Sequence, residues 1–232
     1  MRVAIMQPYF FPYIGYFHLI GAVDQFIVYD NIKYTKKGWI NRNRMLRNGG
    51  DALFTLPLRK ASDDLDVCDR ELAVDFNRDK ILNQLSGAYR RAPYFAQTFP
   101  LIEQVVRYGE GNLFKFIHHS IAKTCEHLGV TAKIRISSDI PIDHGLKNQD
   151  KVIALCEALG AKTYINTIGG IELYSKEEFQ SRDIELKFIK PNPYEYAQFS
   201  NEFVPSLSII DVMMFNPRDE IEDRISTKFE LI

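Results

Sequence analysis

The apolar run Val3-Ala4-Ile5-Met6 empties directly into Gln7-Pro8-Tyr9-Phe10-Phe11-Pro12-Tyr13-Ile14-Gly15-Tyr16-Phe17-His18-Leu19-Ile20, and this junction constrains the fold more than any other stretch. The apolar run predicts a short strand. Pro8 and Pro12 punctuate a loop, and from Gly15 onward apolar residues recur at helical spacing. A strand that passes through a loop into a helix is the opening of a βαβ unit. In open parallel sheets, ligands bind beyond the carboxyl ends of the strands, where helix N-termini also attract anions.

Tyr9, Phe10, Phe11 and Tyr13 crowd that loop. Phenylalanines have no polar handle and suit core and loop anchoring as well as ligand contact. A tyrosine packs its ring and still presents a hydroxyl. Gln7, Tyr9 and Tyr13 are therefore candidate substrate-binding residues, with Tyr16 and His18 as candidate catalytic groups that handle protons. His18 lies two residues past Tyr16 and need not face the same way.

After a second predicted strand, Asp24 to Tyr29, the chain is at its most basic, with Lys33, Lys36, Lys37, Arg42, Arg44 and Arg47 close together. A solvated hairpin accounts for the charge alone. It does not account for Trp39, the only tryptophan, or for Asn41-Arg42-Asn43, a dense set of directional donors that is costly to leave unused. Lys33, Lys36, Trp39, Asn41, Arg42 and Arg44 are thus candidates to hold a diphosphate or carboxylate. A third strand is predicted over Ala52 to Pro57, following the Gly49-Gly50 turn. The acidic run Asp63-Asp64-Leu65-Asp66 reads as a solvated, mobile loop, because sequential carboxylates at a loop tip seldom converge on a metal.

Helical periodicity covers Asn77 to Tyr89, Leu101 to Tyr108 and Leu113 to Leu128, the last with Phe114, Ile117, Ile121 and Leu128 on one stripe. His118, His119 and His127 lack the four-residue spacing of a ligand pair, so no metal is indicated. Strands are predicted at Lys133 to Ser138, Lys162 to Asn166 and Ile184 to Phe188, with a helix from Gln149 to Leu159 that Gly160 stops. Asn166, Gly169 and Gly170 mark a second loop where backbone can approach a ligand closely. Ser206 to Phe215 predicts a closing apolar helix capped by Ser206 or Ser208, and Asp211 within it needs a partner. Asn216 to Ile232 reads as a loosely held tail.

A chain of 232 residues with 46% hydrophobic residues, 25% charged residues and a net charge of −1 suits a soluble globular protein. The balance argues against nucleic acid as the main ligand and against general membrane-surface binding. Cys68, Cys125 and Cys156 are odd in number and lack paired spacing, which fits a reducing cytoplasm and buried thiols. The N-terminus does not read as a signal peptide, and no apolar stretch approaches the roughly 18 to 20 residues of a membrane span.

The run Gln7-Pro8-x-Phe10-Phe11-Pro12-x-x-Gly15-Tyr16, then Asp24-x-Phe26, then Thr35-Lys36-x-x-Trp39-x-Asn41-Arg42-Asn43-Arg44, resembles the WbqC-like proteins. The likeness returns in Cys156-x-Ala158-Leu159-Gly160-Ala161-x-x-Tyr164 and in Leu207-Ser208-Ile209-Ile210-Asp211. It implies cytoplasmic work on a precursor of O-antigen or another bacterial surface polysaccharide. A more distant likeness is to nucleotidyltransferases of the HIGH superfamily. Tyr13-Ile14-Gly15-Tyr16 stands where those enzymes carry His-x-Gly-His, and phenols stabilise phosphate charge poorly compared with imidazoles.

The expected fold is α/β: a Rossmann-like parallel sheet of about five strands with helices on both faces. One domain spans residues 1–232, with a mainly helical insertion at about 77–128. The expected function is transfer of an acyl or aminoacyl group, from a thioester or aminoacyl donor, to the amine of a nucleotide-linked sugar. An acyl-carrier or glycan-assembly protein is the expected macromolecular partner. An ATP-dependent ligase or nucleotidyltransferase, or a non-catalytic subunit of a glycan-assembly complex, are the alternatives.

Overall fold

The computed structural model describes residues 1–199 and 202–232. Strand β1 (Arg2–Met6) leads into helix α1 (Ile14–Gly21) and strand β2 (Gln25–Val28). A two-stranded hairpin follows, β3 (Arg42–Arg47) and β4 (Gly50–Thr55), then helices α2 (Arg78–Tyr89), α3 (Phe95–Val106) and α4 (Leu113–His127). Strand β5 (Lys133–Ile136), helix α5 (Asn148–Leu159), strand β6 (Thr163–Thr167), helix α6 (Lys176–Gln180) and strand β7 (Glu185–Pro191) resume the alternation. Helices α7 (Ile209–Phe215) and α8 (Arg218–Thr227) and strand β8 (Phe229–Leu231) close the chain.

The main sheet runs β5-β2-β1-β6-β7-β8. Its first five strands are parallel, and β8 adds to β7 in antiparallel register. Counted among the parallel strands alone, the order is 3-2-1-4-5, the doubly wound Rossmann order. Alternate residues along each strand feed two separate cores. Ala4, Phe26, Val28, Ile165 and Ile189 pack with α1 and the helices α2 to α4, whereas Val3, Ile5, Ile27, Tyr164 and Phe188 pack with α5 and α6. Two buried faces explain why the central strands β1 and β2 read as nearly continuous apolar runs, whereas β5 and β7 alternate with charged residues.

Several expectations need correction. The predicted third strand does form, as β4, but it pairs only with β3 and lies outside the main sheet. Asn48 and Gly49 both take positive φ, 53° and 79°, and make the tight hairpin turn between Arg47 and Gly50. Asn-Gly is the sequence signal for that turn, and it sits one residue earlier than the glycine pair. The C-terminal residues are not a loose tail. Ile221 and Ile225 of α8 are buried, and β8 is hydrogen-bonded into the sheet. A Cβ on Gly21 would come within 2.8 Å of Ile225 Cγ2, so α1 and α8 touch where α1 has no side chain.

The acidic run is likewise anchored. Lys33 Nζ is 2.6 Å from Asp64 Oδ1, Lys36 Nζ is 2.7 Å from Asp63 Oδ2, and the backbones of Lys33 and Asp66 form a bridge. Helix α3 also begins earlier than its predicted start at Leu101. Ser208, not Ser206, caps α7, its Oγ accepting from Ile210 N. Cys125 and Cys156 are buried, with burial pushing both thiols up to about 12. Among the described residues no helix is long and apolar enough to cross a membrane.

Candidate functional site

Strand order places the crevice of this fold between the carboxyl ends of β1 and β6, where successive connections turn to opposite sides. The aromatic loop leaves β1 at that point, and Asn166 to Gly170 leave β6 beside it. Tyr16 lies wholly inside: it is 2% exposed, and its hydroxyl donates to Gln7 O at 2.9 Å. Its ring packs against Tyr9, whose hydroxyl donates to Gln7 Oε1 at 3.4 Å. Burial raises the phenol pKa of Tyr9, Tyr13 and Tyr16 above the ordinary tyrosine value, so all three remain neutral donors at ordinary pH. Tyr13 is partly exposed and its ring lies over Gly15, whose added Cβ would sit 2.2 Å from it.

His18 does not share that face. It is buried against Phe229 of β8 and lies near the backbone of Arg224 in α8. Neither ring nitrogen has a hydrogen-bond partner of ordinary geometry among the described residues. The enclosure of Tyr16 and His18 leaves Tyr9, Tyr13 and Gln7 as the parts of the loop open to solvent.

Phe11 carries the strain of the loop. It is fully buried at φ 41°, a left-handed conformation that a bulky residue adopts only when its surroundings impose it. Its carbonyl accepts from Asn43 Nδ2 at 2.8 Å and from Ser208 Oγ at 2.7 Å, and Asn43 Nδ2 also reaches Phe10 O at 3.2 Å. Three distant parts of the chain thereby meet at one peptide. Asn43→Ala is expected to cost about 2 kcal/mol of stability, since buried carbonyls lose a donor, and chemical denaturation measures it. A loss below about 0.5 kcal/mol would show that the loop holds its conformation without Asn43.

The basic segment divides into two groups. Trp39 is 40% exposed and has the guanidinium carbons of Arg42 and Arg44 at 5.9 and 5.7 Å from its ring centroid. Phe10 N donates to Ile40 O, so this group lies next to the aromatic loop. Arg42 donates to the carbonyls of Lys37 and Gly38, and Arg44 to Ser206 O while facing Asp51 at 3.6 Å. Lys33 and Lys36 belong to the other group, with the acidic run. Asn41 stands between them, buried, its Oδ1 accepting from Tyr34 and its Nδ2 donating to Leu56 O. On the β6 side, Asn166 is buried and its Oδ1 accepts from Thr167 N. An added Cβ on Gly170 would lie 2.7 Å from Asn166 Nδ2, whereas Gly169 has open space.

A family model for the WbqC-like protein family matches residues 7–223. The chain belongs to the WbqC-like family. It is 27% identical over 227 residues to an uncharacterized protein of Mycobacterium tuberculosis (strain ATCC 25618 / H37Rv), covering 96% of each chain. No solved structure matches it.

This WbqC-like chain also gathers polar residues at the ends of β2 and β5 that sequence reasoning passed over. Asp30 is 3% exposed and accepts from Ser137 Oγ, Ser138 N and Ser138 Oγ at 2.6 to 3.0 Å. Asn31 Nδ2 lies 2.9 Å from His144 Nδ1. Lys151 of α5 is 5% exposed, donates to Asn31 O at 3.2 Å and sits 5.0 Å from the Tyr29 ring centroid. Burial lowers its pKa, and Cys68 nearby is pushed up to about 11, chiefly by burial. Lys151 falls four residues before the buried Leu155, on the apolar stripe of its helix. A charge on that stripe was the available signal.

Proposed function

We propose that this protein is a cytoplasmic transferase that modifies a nucleotide-linked amino sugar for a bacterial surface polysaccharide, by acyl or aminoacyl transfer to the sugar amine. The observation that carries this reading is the exposed Trp39 ring with the guanidinium carbons of Arg42 and Arg44 at 5.9 and 5.7 Å from its centroid, beside the aromatic loop. A flat ring flanked by two guanidinium groups suits a base or sugar face with a diphosphate alongside. Family membership supports the polysaccharide setting, and the Rossmann strand order supports a nucleotide at the strand ends. Tyr9, Tyr13 and Gln7 contact the sugar, while Tyr16 and His18 hold the loop and α1 in place. Asn166, Gly169 and Gly170 form the opposite lip. The donor is an acyl thioester or an aminoacyl carrier.

Thermal-shift screening against nucleoside diphosphate amino sugars, acyl-coenzyme A compounds and ATP with magnesium tests the reading. A ligand at about a hundred times its dissociation constant adds about 2.7 kcal/mol of stability. Stabilisation by an amino-sugar nucleotide supports the transferase, and stabilisation by ATP alone supports the ligase instead. Trp39→Ala is expected to weaken the nucleotide sugar about tenfold, within the roughly 1 to 3 kcal/mol of a base stacked on an aromatic side chain. Unchanged affinity in that variant would remove Trp39 from the site.

A further inference from the structure

A depression of about 580 Å³ opens between the root of the β3 and β4 hairpin and the chain that follows it, with Tyr34, Lys36, Lys60, Asp63 and Arg70 in its wall. Trp39, Arg42 and Arg44 take no part in it. Arg70 is its anomaly. The side chain is 5% exposed, yet its one hydrogen bond of ordinary geometry among the described residues runs from Nη2 to Ser62 O at 2.7 Å. Nε is buried without a partner among the described residues, and Asp63 Oδ1 is 4.0 Å from Nη2, beyond hydrogen-bond length. A guanidinium offers five donors, and a buried charge is stable only when it is paired and hydrogen-bonded. The Tyr34 ring, 4.5 Å from the guanidinium carbon, covers one face and leaves the edge for an anion.

Asp63 marks where that anion belongs. Its other oxygen accepts from Lys36 Nζ at 2.7 Å, and this bond, more than any other influence, holds the carboxyl below its usual range. The carboxylate is thus suspended between an exposed lysine and a buried arginine, too far out to satisfy the arginine. Lys60 stands in the same wall with no ion pair among the described residues, while Arg59 is already held by Glu71 at 2.6 Å. We propose that this pocket binds a phosphate group and that Asp63 is the internal anion the phosphate displaces. A phosphate carries up to two negative charges and enough oxygens to meet the Arg70 fork and the Lys36 ammonium together, which one carboxylate on this loop does not. The pocket stands apart from the Trp39 site, so the inference does not depend on the transferase reading.

Calorimetric titration of the full chain with inorganic pyrophosphate and with inorganic phosphate at low ionic strength tests it. Asp63→Asn is expected to tighten binding, and Lys36→Ala to weaken it, each by at least about threefold. Both side chains are exposed, so neither change threatens the fold. Because Arg42 and Arg44 beside Trp39 can also take a diphosphate, the pocket is read from the changes that Asp63→Asn and Lys36→Ala make, and these should be the same size in a Trp39→Ala background. Tighter binding of pyrophosphate than of phosphate assigns the pocket to a diphosphate, and equal binding assigns it to a lone phosphate group. No binding of either anion to wild type and Asp63→Asn at low millimolar concentration overturns the proposal, as does loss of binding in Trp39→Ala alone. Trp39→Ala losing only the nucleotide sugar would separate the two sites.

Discussion

Asp211→Ala is expected to lower stability by about 3 kcal/mol, because buried donors lose a charged acceptor that each of them uses, at roughly 1 to 3 kcal/mol for a donor left unsatisfied. Asp211 is fully buried in α7 and accepts from Tyr89 at 2.9 Å on one oxygen and from Tyr196 and Gln198, each at 2.7 Å, on the other. Burial raises its pKa, while those three donors oppose the rise. Tyr89 in turn accepts from Leu46 N at 2.8 Å, which ties α7 and α2 to strand β3. Removing the carboxylate leaves the hydroxyls of Tyr89 and Tyr196 without their acceptor, while Gln198 Nε2 keeps its bond to Val204 O at 3.1 Å. Urea unfolding of Asp211→Ala against wild type measures the loss, and Tyr196→Phe should give a smaller one. A change under about 1 kcal/mol for Asp211→Ala would mean that the network is replaced by relaxation or water. Because β3 also carries Arg42 and Arg44, the same variant should weaken any ligand held beside Trp39.

Acidification should weaken the fold through His18. Its pKa falls from the ordinary 6.5 to about 4, first because it is buried and the charged form is desolvated. The folded state therefore binds fewer protons than the unfolded state between these values. Stability is fully present above pH 6.5 and is lost as pH falls toward 4. At about 1.36 kcal/mol per unit, the full loss is about 3 kcal/mol, of which about 2 kcal/mol falls between pH 7 and pH 5. Burial also lowers His118, His119 and His127, so these imidazoles shift in the same direction, while the raised Asp211 opposes them. The difference between wild type and His18→Phe isolates this one ring. The variant should lose about 2 kcal/mol less than wild type between pH 7 and pH 5. Equal losses in the two proteins would show that His18 is protonated, or solvated, in the folded state.

The alternation of strands and helices was legible because its signals are local. Val3 to Met6 is an apolar run, as a strand buried on both faces requires, while Ile184 to Phe188 alternates apolar and charged residues at the strand period. Gly160 stops α5 in the left-handed conformation at φ 66°, as its position after Leu159 suggests. The main errors came from elements whose partners are far away in the chain. Residues 216–232 are polar along much of their length, and only contact of Ile221 and Ile225 with α1 makes them a helix on the sheet. The acidic run looked mobile because the lysines that hold it lie about thirty residues earlier.

For the site, residue type and side-chain direction came apart. Tyr9, Tyr16 and His18 lie within one short stretch of sequence, yet Tyr16 and His18 are enclosed and only Tyr9 and Tyr13 meet solvent. A helix turns successive side chains by about 100°, so Tyr16 faces Phe26 of β2 while His18 turns to Phe229 of β8 and Arg224 of α8. The Asn41-Arg42-Asn43-Arg44 run divides for a related reason. In a strand, alternate residues face opposite sides, so the asparagines turn inward to backbone carbonyls while the arginines flank Trp39.

The amino-acid sequence by itself determined the α/β class, the family, and the aromatic and basic segments that candidate ligands would meet. Local propensity and hydrophobic periodicity act over a few residues and survive in any context. Only the tertiary structure decided that Phe11 is held in a left-handed turn by Asn43 and Ser208, that Lys36 and Arg70 flank Asp63, and that Lys151 is buried beside Tyr29. Each of these depends on which distant segments desolvate a given group, and desolvation is a property of the packed chain rather than of the residue.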